Sequence, residues 1–233
     1  MTNLTGTERA RYVQGMFTRI ARRYDLMNRL MTAGQDVGWR REVIQRAELP
    51  ARGRLLDLGA GTGDLAQEAL RQNPDCQPVA ADFTLEMMRV GKQRPGTRQL
   101  NWSAADALHL PFEDESFDAL VSGFLLRNVS DLPLALGEQW RVLKPGGRVV
   151  ALDTTRPQRS LLTPFINFHL HTVIPTLGKL ISGEADAYTY LPDTTANFLE
   201  AERLAQALRN AGFIQVGFER HMFGTIAIHW GVK

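Results

Sequence analysis

The run Leu55-Leu56-Asp57-Leu58-Gly59-Ala60-Gly61-Thr62-Gly63-Asp64 places three glycines at alternate positions between two carboxylates, directly behind an apolar stretch. Glycine has no Cβ, so a chain of this pattern turns tightly and brings its main chain against a ligand. The spacing is Gly-x-Gly-x-Gly, whereas the dinucleotide fingerprint is Gly-x-Gly-x-x-Gly with a helix N-terminus facing a pyrophosphate. Here Asp64 holds that end. A carboxylate repels a pyrophosphate but suits a ligand that carries an ammonium or sulfonium and no phosphate. Nineteen residues past Gly63, the run Val79-Ala80-Ala81 ends in Asp82, whose carboxylate can accept from both hydroxyls of a ribose. Together these residues favour S-adenosylmethionine over NAD as the ligand; the alternative is a glycine turn of purely structural use.

The elements that must position these residues follow from periodicity. Tyr12, Met16, Phe17, Ile20, Tyr24 and Met27 recur at three- and four-residue steps and predict one amphipathic helix over about 8–31. A second helix over Trp39 to Ala47 stops at Pro50. Strands and helices then alternate: strand 53–58, helix 64–72, strand 77–82, helix 84–92, strands 98–104 and 117–123, helix 131–143 and strand 147–153. Such alternation predicts an α/β fold built on a doubly wound, mostly parallel sheet. After residue 156 the rhythm changes. Leu161 to Ile181 is apolar but broken by Pro164, Asn167, His169, His171, Pro175 and Lys179, too interrupted to span a bilayer and more like helices that cover the sheet or touch a lipid-like ligand. A helix over 196–210 and strands over 213–220 and 224–231 complete the chain, bringing the sheet to seven strands.

At 233 residues, with 44% hydrophobic and 22% charged side chains, the chain suits a single domain. Within it, residues 1–50 read as a helical cap, 51–156 as a cofactor-binding core, 157–195 as an insertion facing substrate or membrane, and 196–233 as the closing helix and strands. One cysteine, Cys76 in a connecting loop, excludes an internal disulfide, and no leader pattern opens the chain, so a cytoplasmic protein is expected. The net charge of +2 hides an asymmetry: residues 1–54 hold eleven Arg against five acidic residues, leaving −4 for the remainder. That basic segment is either a solvated face or a surface for anionic lipid. His109, His169, His171, His221 and His229 show no metal-ligand spacing, and no metal is expected.

Two further segments carry a family resemblance. Tyr24-Asp25-Leu26-Met27-Asn28-Arg29-Leu30-Met31-Thr32 with Trp39-Arg40-Arg41, and Arg141-Val142-Leu143-Lys144-Pro145-Gly146-Gly147 with Leu152-Asp153-Thr154-Thr155, resemble the two signatures of the menaquinone and ubiquinone C-methyltransferases, a family of class I S-adenosylmethionine-dependent methyltransferases with a Rossmann-like fold. Leu110-Pro111-Phe112, Phe117-Asp118, Leu126-Arg127-Asn128-Val129, Tyr188-Thr189-Tyr190-Leu191-Pro192 and Ala211-Gly212-Phe213 extend the likeness over nearly the whole chain. There are departures. Thr32 and Asp36 stand where the first signature usually has Ser and His, Asp153-Thr154-Thr155 replaces Glu-x-Ser, and a cofactor-contacting serine falls at Gly123, with Ser122 beside it.

The resemblance implies C-methylation of a polyprenylated demethylmenaquinol, with a benzoquinol of ubiquinone biosynthesis as the second acceptor. It implies that Gly59, Gly61, Thr62 and Gly63 cradle the methionine, Asp82 the ribose and Asp106-Ala107 the adenine, with Asp57 and Ser122 beside them. For the acceptor it points to Arg127 and Asn128 after the fourth strand and to Tyr24, Asp25 and Asn28 on the first helix, with Tyr188 and Tyr190 as walls of the quinone site. His169 and His171 are the better histidine candidates for a proton acceptor. Arg127 alternatively pairs with Asp131, and Asp25 alternatively caps its helix or pairs with Arg22 or Arg29. Neither a Pro-Pro-aromatic motif nor a Pro-Cys nucleophile follows the fourth strand, so a nucleic-acid substrate is not expected. A non-catalytic cofactor-binding protein is the reading of another class. Contact with a membrane surface is expected through 160–183 and the basic N-terminus, and a homo-oligomer is left open.

Overall fold

The structure is a computed structural model that describes residues 6–156, 172, 173, 176, 194 and 198–233. Its seven strands lie in the order β3-β2-β1-β4-β5-β7-β6, where β1 is Arg54–Leu58, β2 Gln77–Asp82, β3 Asn101–Ala104, β4 Phe117–Gly123, β5 Leu143–Thr154, β6 Ile214–His221 and β7 Ile226–Val232. The first five are parallel to one another, and β7 runs antiparallel between β5 and β6. The order reverses at β1 and β4, and open α/β sheets bind ligands in the crevice outside the strand ends at that point.

Helices cover both faces, which is why the strands read as continuous apolar runs rather than alternating ones. On one face Leu56, Leu58, Leu120 and Val149 pack with α6 (Leu132–Val142) and α7 (Ala201–Asn210). On the other, Leu55, Val121, Val150 and Leu152 pack with α3 (Asp36–Arg46) and α4 (Asp64–Gln72). The helix α5 (Leu85–Gln93) follows β2.

The expected first helix is two. α1 (Gly6–Ile20) gives way to a 3-10 turn at Ala21–Arg23 and then to α2 (Tyr24–Met31), with Met16, Ile20 and Met27 forming a small core of their own. Three residues of tighter winding do not disturb an apolar stripe enough for periodicity to show the break. Helix α7 starts at Ala201, later than expected, and the Lys144-Pro145-Gly146-Gly147 turn lies inside β5, whose register on β4 shifts there. Most of the expected insertion at 157–195, with His169, His171, Tyr188 and Tyr190, lies outside the described residues.

Candidate functional site

Gly59, Gly61 and Gly63 all have positive φ, at 68°, 58° and 88°. A Cβ on Gly59 would meet Leu125 Cδ1 at 2.9 Å, and one on Gly61 would meet Met87 Cε at 3.1 Å, so glycine is required by conformation and by space. The turn is tied to β2: the amides of Gly59 and Ala60 donate to the Ala81 carbonyl, and the Gly61 amide donates to Asp82 Oδ2 at 2.7 Å.

Two adjoining cavities sit over this turn and share Tyr24, Gly59, Gly61, Gly123 and Phe124. The larger runs past Asp82, Phe83, Thr84, Met87, Ala105 and Ala107 to Leu125 and Asn128, roofed by Val13, Gln14 and Phe17 of α1. The smaller holds Arg40, Asp57, Thr62 and Asp64. Gln14 Nε2 donates to the Phe83 carbonyl and an Arg9 nitrogen to the Arg127 carbonyl, so α1 is fastened to both sides of the cleft it covers.

Asp57 is fully enclosed. Its Oδ2 accepts the Ala66 amide in the first turn of α4, and Oδ1 has no hydrogen-bond partner among the described residues. Burial pushes its carboxyl up to about 7, against the pull of the Ala66 amide and with the nearby Asp64 and Asp82 adding to the rise. Asp82 accepts the Gly61 and Thr84 amides, which partly offset the upward push of burial. Each carboxylate oxygen has a second lone pair for a ribose hydroxyl.

Thr62 and Asp25 meet: Thr62 Oγ1 donates to Asp25 Oδ1 at 2.7 Å, and Arg94 lies 3.2 Å from Asp25. The partners expected for Asp25, Arg22 and Arg29, are not the ones it uses. Burial, then Asp64, raises its carboxyl, and it lines neither cavity. Asp64, expected to face the cation of the ligand, is held by Arg94 at 2.7 Å and Arg40 at 3.2 Å.

Tyr24 lines both cavities. Burial raises its phenol, against the Asn28 side chain and the positive charges of Arg127 and Arg40, so it stays protonated. Asn128 lines the larger cavity and donates to the Phe124 carbonyl at 2.9 Å. Arg127 pairs with Asp153, not Asp131; the Asp131 side chain instead caps α6 through the Leu134 amide. Asp106 is exposed and accepts the Leu108 amide of its own turn, while its neighbours Ala105 and Ala107 face the cleft. Ser122 is buried in β4 with an unpartnered hydroxyl, and Gly123 takes the lining position.

The sequence reading missed Phe17, Met87, Arg40, Arg94 and Phe124. Phe124 had a local signal, since it follows Gly123 at the end of β4, and its φ of 62° marks strain of the kind that collects at binding sites.

A model of the ubiE/COQ5 methyltransferase family matches residues 4–233. The chain belongs to that family. It is 47% identical to a "Ubiquinone/menaquinone biosynthesis C-methyltransferase UbiE" from Desulfotalea psychrophila over 95% of this chain and 90% of the relative. To a "Demethylmenaquinone methyltransferase" from Roseiflexus castenholzii it is 42% identical over 97% and 95%. The fold matches a possible histamine N-methyltransferase from Thermotoga maritima (TM-score 0.66, 19% identity, 94% of this chain and 98% of the other). It also matches a Haemonchus contortus phosphoethanolamine N-methyltransferase solved with S-adenosyl-L-methionine (TM-score 0.64, 16% identity, 84% and 52%).

The methyl donor used by this ubiE/COQ5 member fits the cleft. The Gly61 cradle that a Cβ would close, the Asp57 oxygen without a partner and the Asp82 carboxylate at the end of β2 supply what a methionine, an ammonium and a ribose need. Among the described residues, His229, His109, Cys76 and the Glu42, Glu219 and His221 group line neither cavity. His229 Nε2 lies 2.9 Å from the Ala201 carbonyl, and burial lowers its imidazole. His109 is exposed. Burial raises the Cys76 thiol. Glu42, Glu219 and His221 bring ligand atoms within 4.8 Å of one another, but Arg46 already bonds both glutamates.

Proposed function

We propose that the protein transfers a methyl group from S-adenosylmethionine to a ring carbon of a polyprenylated demethylmenaquinol, giving the menaquinol. The observation that carries this reading is the cleft itself, which joins the glycine cradle to Tyr24, Phe124 and Asn128 in one chain of a quinone C-methyltransferase family. The second reading, a benzoquinol acceptor, is supported by the relative whose name covers both quinones.

Bound S-adenosylmethionine supplies an electrophilic methyl on a sulfonium. An aromatic carbon attacks it readily only when the neighbouring ring hydroxyl is ionised, so the protein's task is to favour phenolate and to aim the ring. Tyr24, neutral and at the junction of the cavities, donates to the ring oxygen; Arg127, expected at the acceptor, lines neither cavity and is neutralised by Asp153, so it holds the turn that carries Phe124 and Asn128 rather than touching the quinol. Phe124, with the Arg127 guanidinium 4.9 Å from its ring centre, is a flat wall for a quinol. Val13, Gln14 and Phe17 of α1 line the larger cavity and help to aim the ring at the donor, and alignment of two reactants contributes roughly 7–11 kcal/mol where geometry is ideal. Once the methyl is on the ring carbon, the hydrogen there moves as a proton to the ring oxygen, which restores the aromatic system, and the proton that the hydroxyl gave up earlier leaves to solvent.

The polyprenyl tail gains about as much from lipid as from a protein groove, so the protein reads the head group at a membrane surface. No described helix is long and apolar enough to cross a membrane. Exposed Leu26, Leu30, Phe83 and Leu85, with exposed Arg22 and Arg29 nearby in the chain, support surface docking. The test is methyl transfer to a short-chain demethylmenaquinol in competition with demethylated benzoquinol and with RNA. Preferred labelling of the demethylmenaquinol is expected, and preferred labelling of RNA would sink the reading.

A further inference from the structure

Thr32 and Asp36, the two departures from the family's first signature, touch each other. Thr32 Oγ1 lies 3.0 Å from Asp36 Oδ1 and also accepts the Asp36 amide. Asp36 has no exposed surface, and its carboxylate bonds Arg40 one turn along α3. The other end of the Arg40 guanidinium reaches Asp64 at 3.2 Å, Asp64 accepts from Arg94 at 2.7 Å, and Arg94 lies 3.2 Å from Asp25. One line of charges therefore joins α3, the first turn of α4, the residue after α5 and α2.

We propose that Asp36 is a positioning residue for the methyl donor: through Arg40 it gives the charge array at the smaller cavity the negative excess that meets the donor's methionine half. The proposal rests on S-adenosylmethionine occupying the cleft. Three carboxylates against two guanidiniums leave this array one negative charge in excess. The methionine half, with a sulfonium and an ammonium against one carboxylate, has one positive charge in excess. Asp36 does not line the cavity, whereas Arg40, Asp64 and Asp57 do. Without Asp36 the array would hold two carboxylates against two guanidiniums and lose its negative excess, in a poorly solvated place where such charges act strongly.

A buried ion pair is weak evidence for stability, since desolvation offsets its attraction. A charge-matching role gives the pair a use that stability does not. Asp57 responds to the same array: Asp64 and Asp82 raise it, Arg40 lowers it, and the Tyr24 phenol lines the same cavity. Losing Asp36 leaves Arg40 less compensated, so the titration of Asp57 should move down in pH.

The experiment is calorimetric titration of the full chain with S-adenosylmethionine (net charge +1), S-adenosylhomocysteine (a zwitterion of net charge zero) and adenosine (no charged group), which share the nucleoside. Asp36→Asn should weaken S-adenosylmethionine about tenfold, the equivalent of one pKa unit of charge interaction. The zwitterionic thioether ligand should lose less than about threefold, and adenosine nothing. Asp36→Glu, which restores the charge, should recover most of the affinity for S-adenosylmethionine. Should Asp36→Asn not fold, Asp64→Asn takes a charge from the same array and should give the same order of losses. Equal losses for all three ligands, or none for S-adenosylmethionine, would overturn the proposal. Failure of the unaltered protein to bind any of the three would overturn the cofactor reading itself.

Discussion

Arg127 and Asp153 form an ion pair closed to solvent, with Nη1 2.7 Å from Oδ1 and the two side chains 4% and 1% exposed. Asp153 also accepts the main-chain amides of Arg127 and Thr154, so the pair locks the turn after β4 to the end of β5. Asp153→Asn leaves a buried guanidinium without its counter-charge and should cost about 3–5 kcal/mol in denaturant unfolding. Replacing both residues by Met and Leu should restore much of that stability without restoring methyl transfer. A loss below about 1 kcal/mol for Asp153→Asn would mean that solvent reaches the pair.

Tyr24 lines both cavities, and in the proposed reaction its phenol donates to the quinol oxygen. Tyr24→Phe keeps the ring and removes the proton, so kcat should fall roughly 10²-fold, the usual effect of losing one donor to a developing oxyanion. KM for the methyl donor should stay within about twofold, because the lost bond is one made to the acceptor. A change confined to KM would place Tyr24 in cofactor binding alone.

Asp57 makes stability depend on pH. Its carboxyl is raised from 3.8 to about 7 in the folded state, chiefly by burial. Between those values the folded protein keeps a proton that the unfolded chain has released, so stability falls as pH rises across the window. The full effect is roughly 4 kcal/mol for a shift of this size. Unfolding curves from pH 4 to 8 on the unaltered protein and on Asp57→Asn should differ by that slope, the Asn variant lacking it. Parallel curves would contradict the assignment.

Gly61→Ala adds a methyl at a φ of 58° and 3.1 Å from Met87 Cε. The left-handed conformation alone costs about 1–2 kcal/mol for a residue with a Cβ. The methyl also fills the cradle, so affinity for S-adenosylhomocysteine should drop further than stability does. Calorimetry beside a melting curve separates the two effects, and unaltered affinity would remove the turn from the binding site.

Leu26 is 54% and Leu30 41% exposed, one turn apart on α2. Changing both to Glu should reduce co-sedimentation with anionic vesicles and leave transfer to a short-chain, water-soluble quinol within about twofold. Unchanged sedimentation would move the docking surface elsewhere.

What could be read from the sequence was local. The Gly59 to Gly63 turn, Asp82 and the alternation of elements each lie within one short segment whose spacing has a physical meaning. Arg127–Asp153 spans 26 residues, Asp25–Thr62 37 and Arg94–Thr62 32, and only the sheet topology brings them together. Asp131 was the nearer partner for Arg127 in sequence, but a helix N-terminus uses an aspartate as its cap. The break at Ala21–Arg23 was hidden because three residues of 3-10 turn keep the apolar stripe nearly in phase.

The central claim is that an ionised quinol hydroxyl makes the ring carbon nucleophilic inside this cleft. The most direct test is transfer from methyl-labelled S-adenosylmethionine to short-chain demethylmenaquinone, run with the quinone fully reduced and fully oxidised, with the product's methyl located by NMR. The account predicts a ring-carbon methyl formed from the reduced form only; transfer to the oxidised form, or a methyl on oxygen, would contradict it.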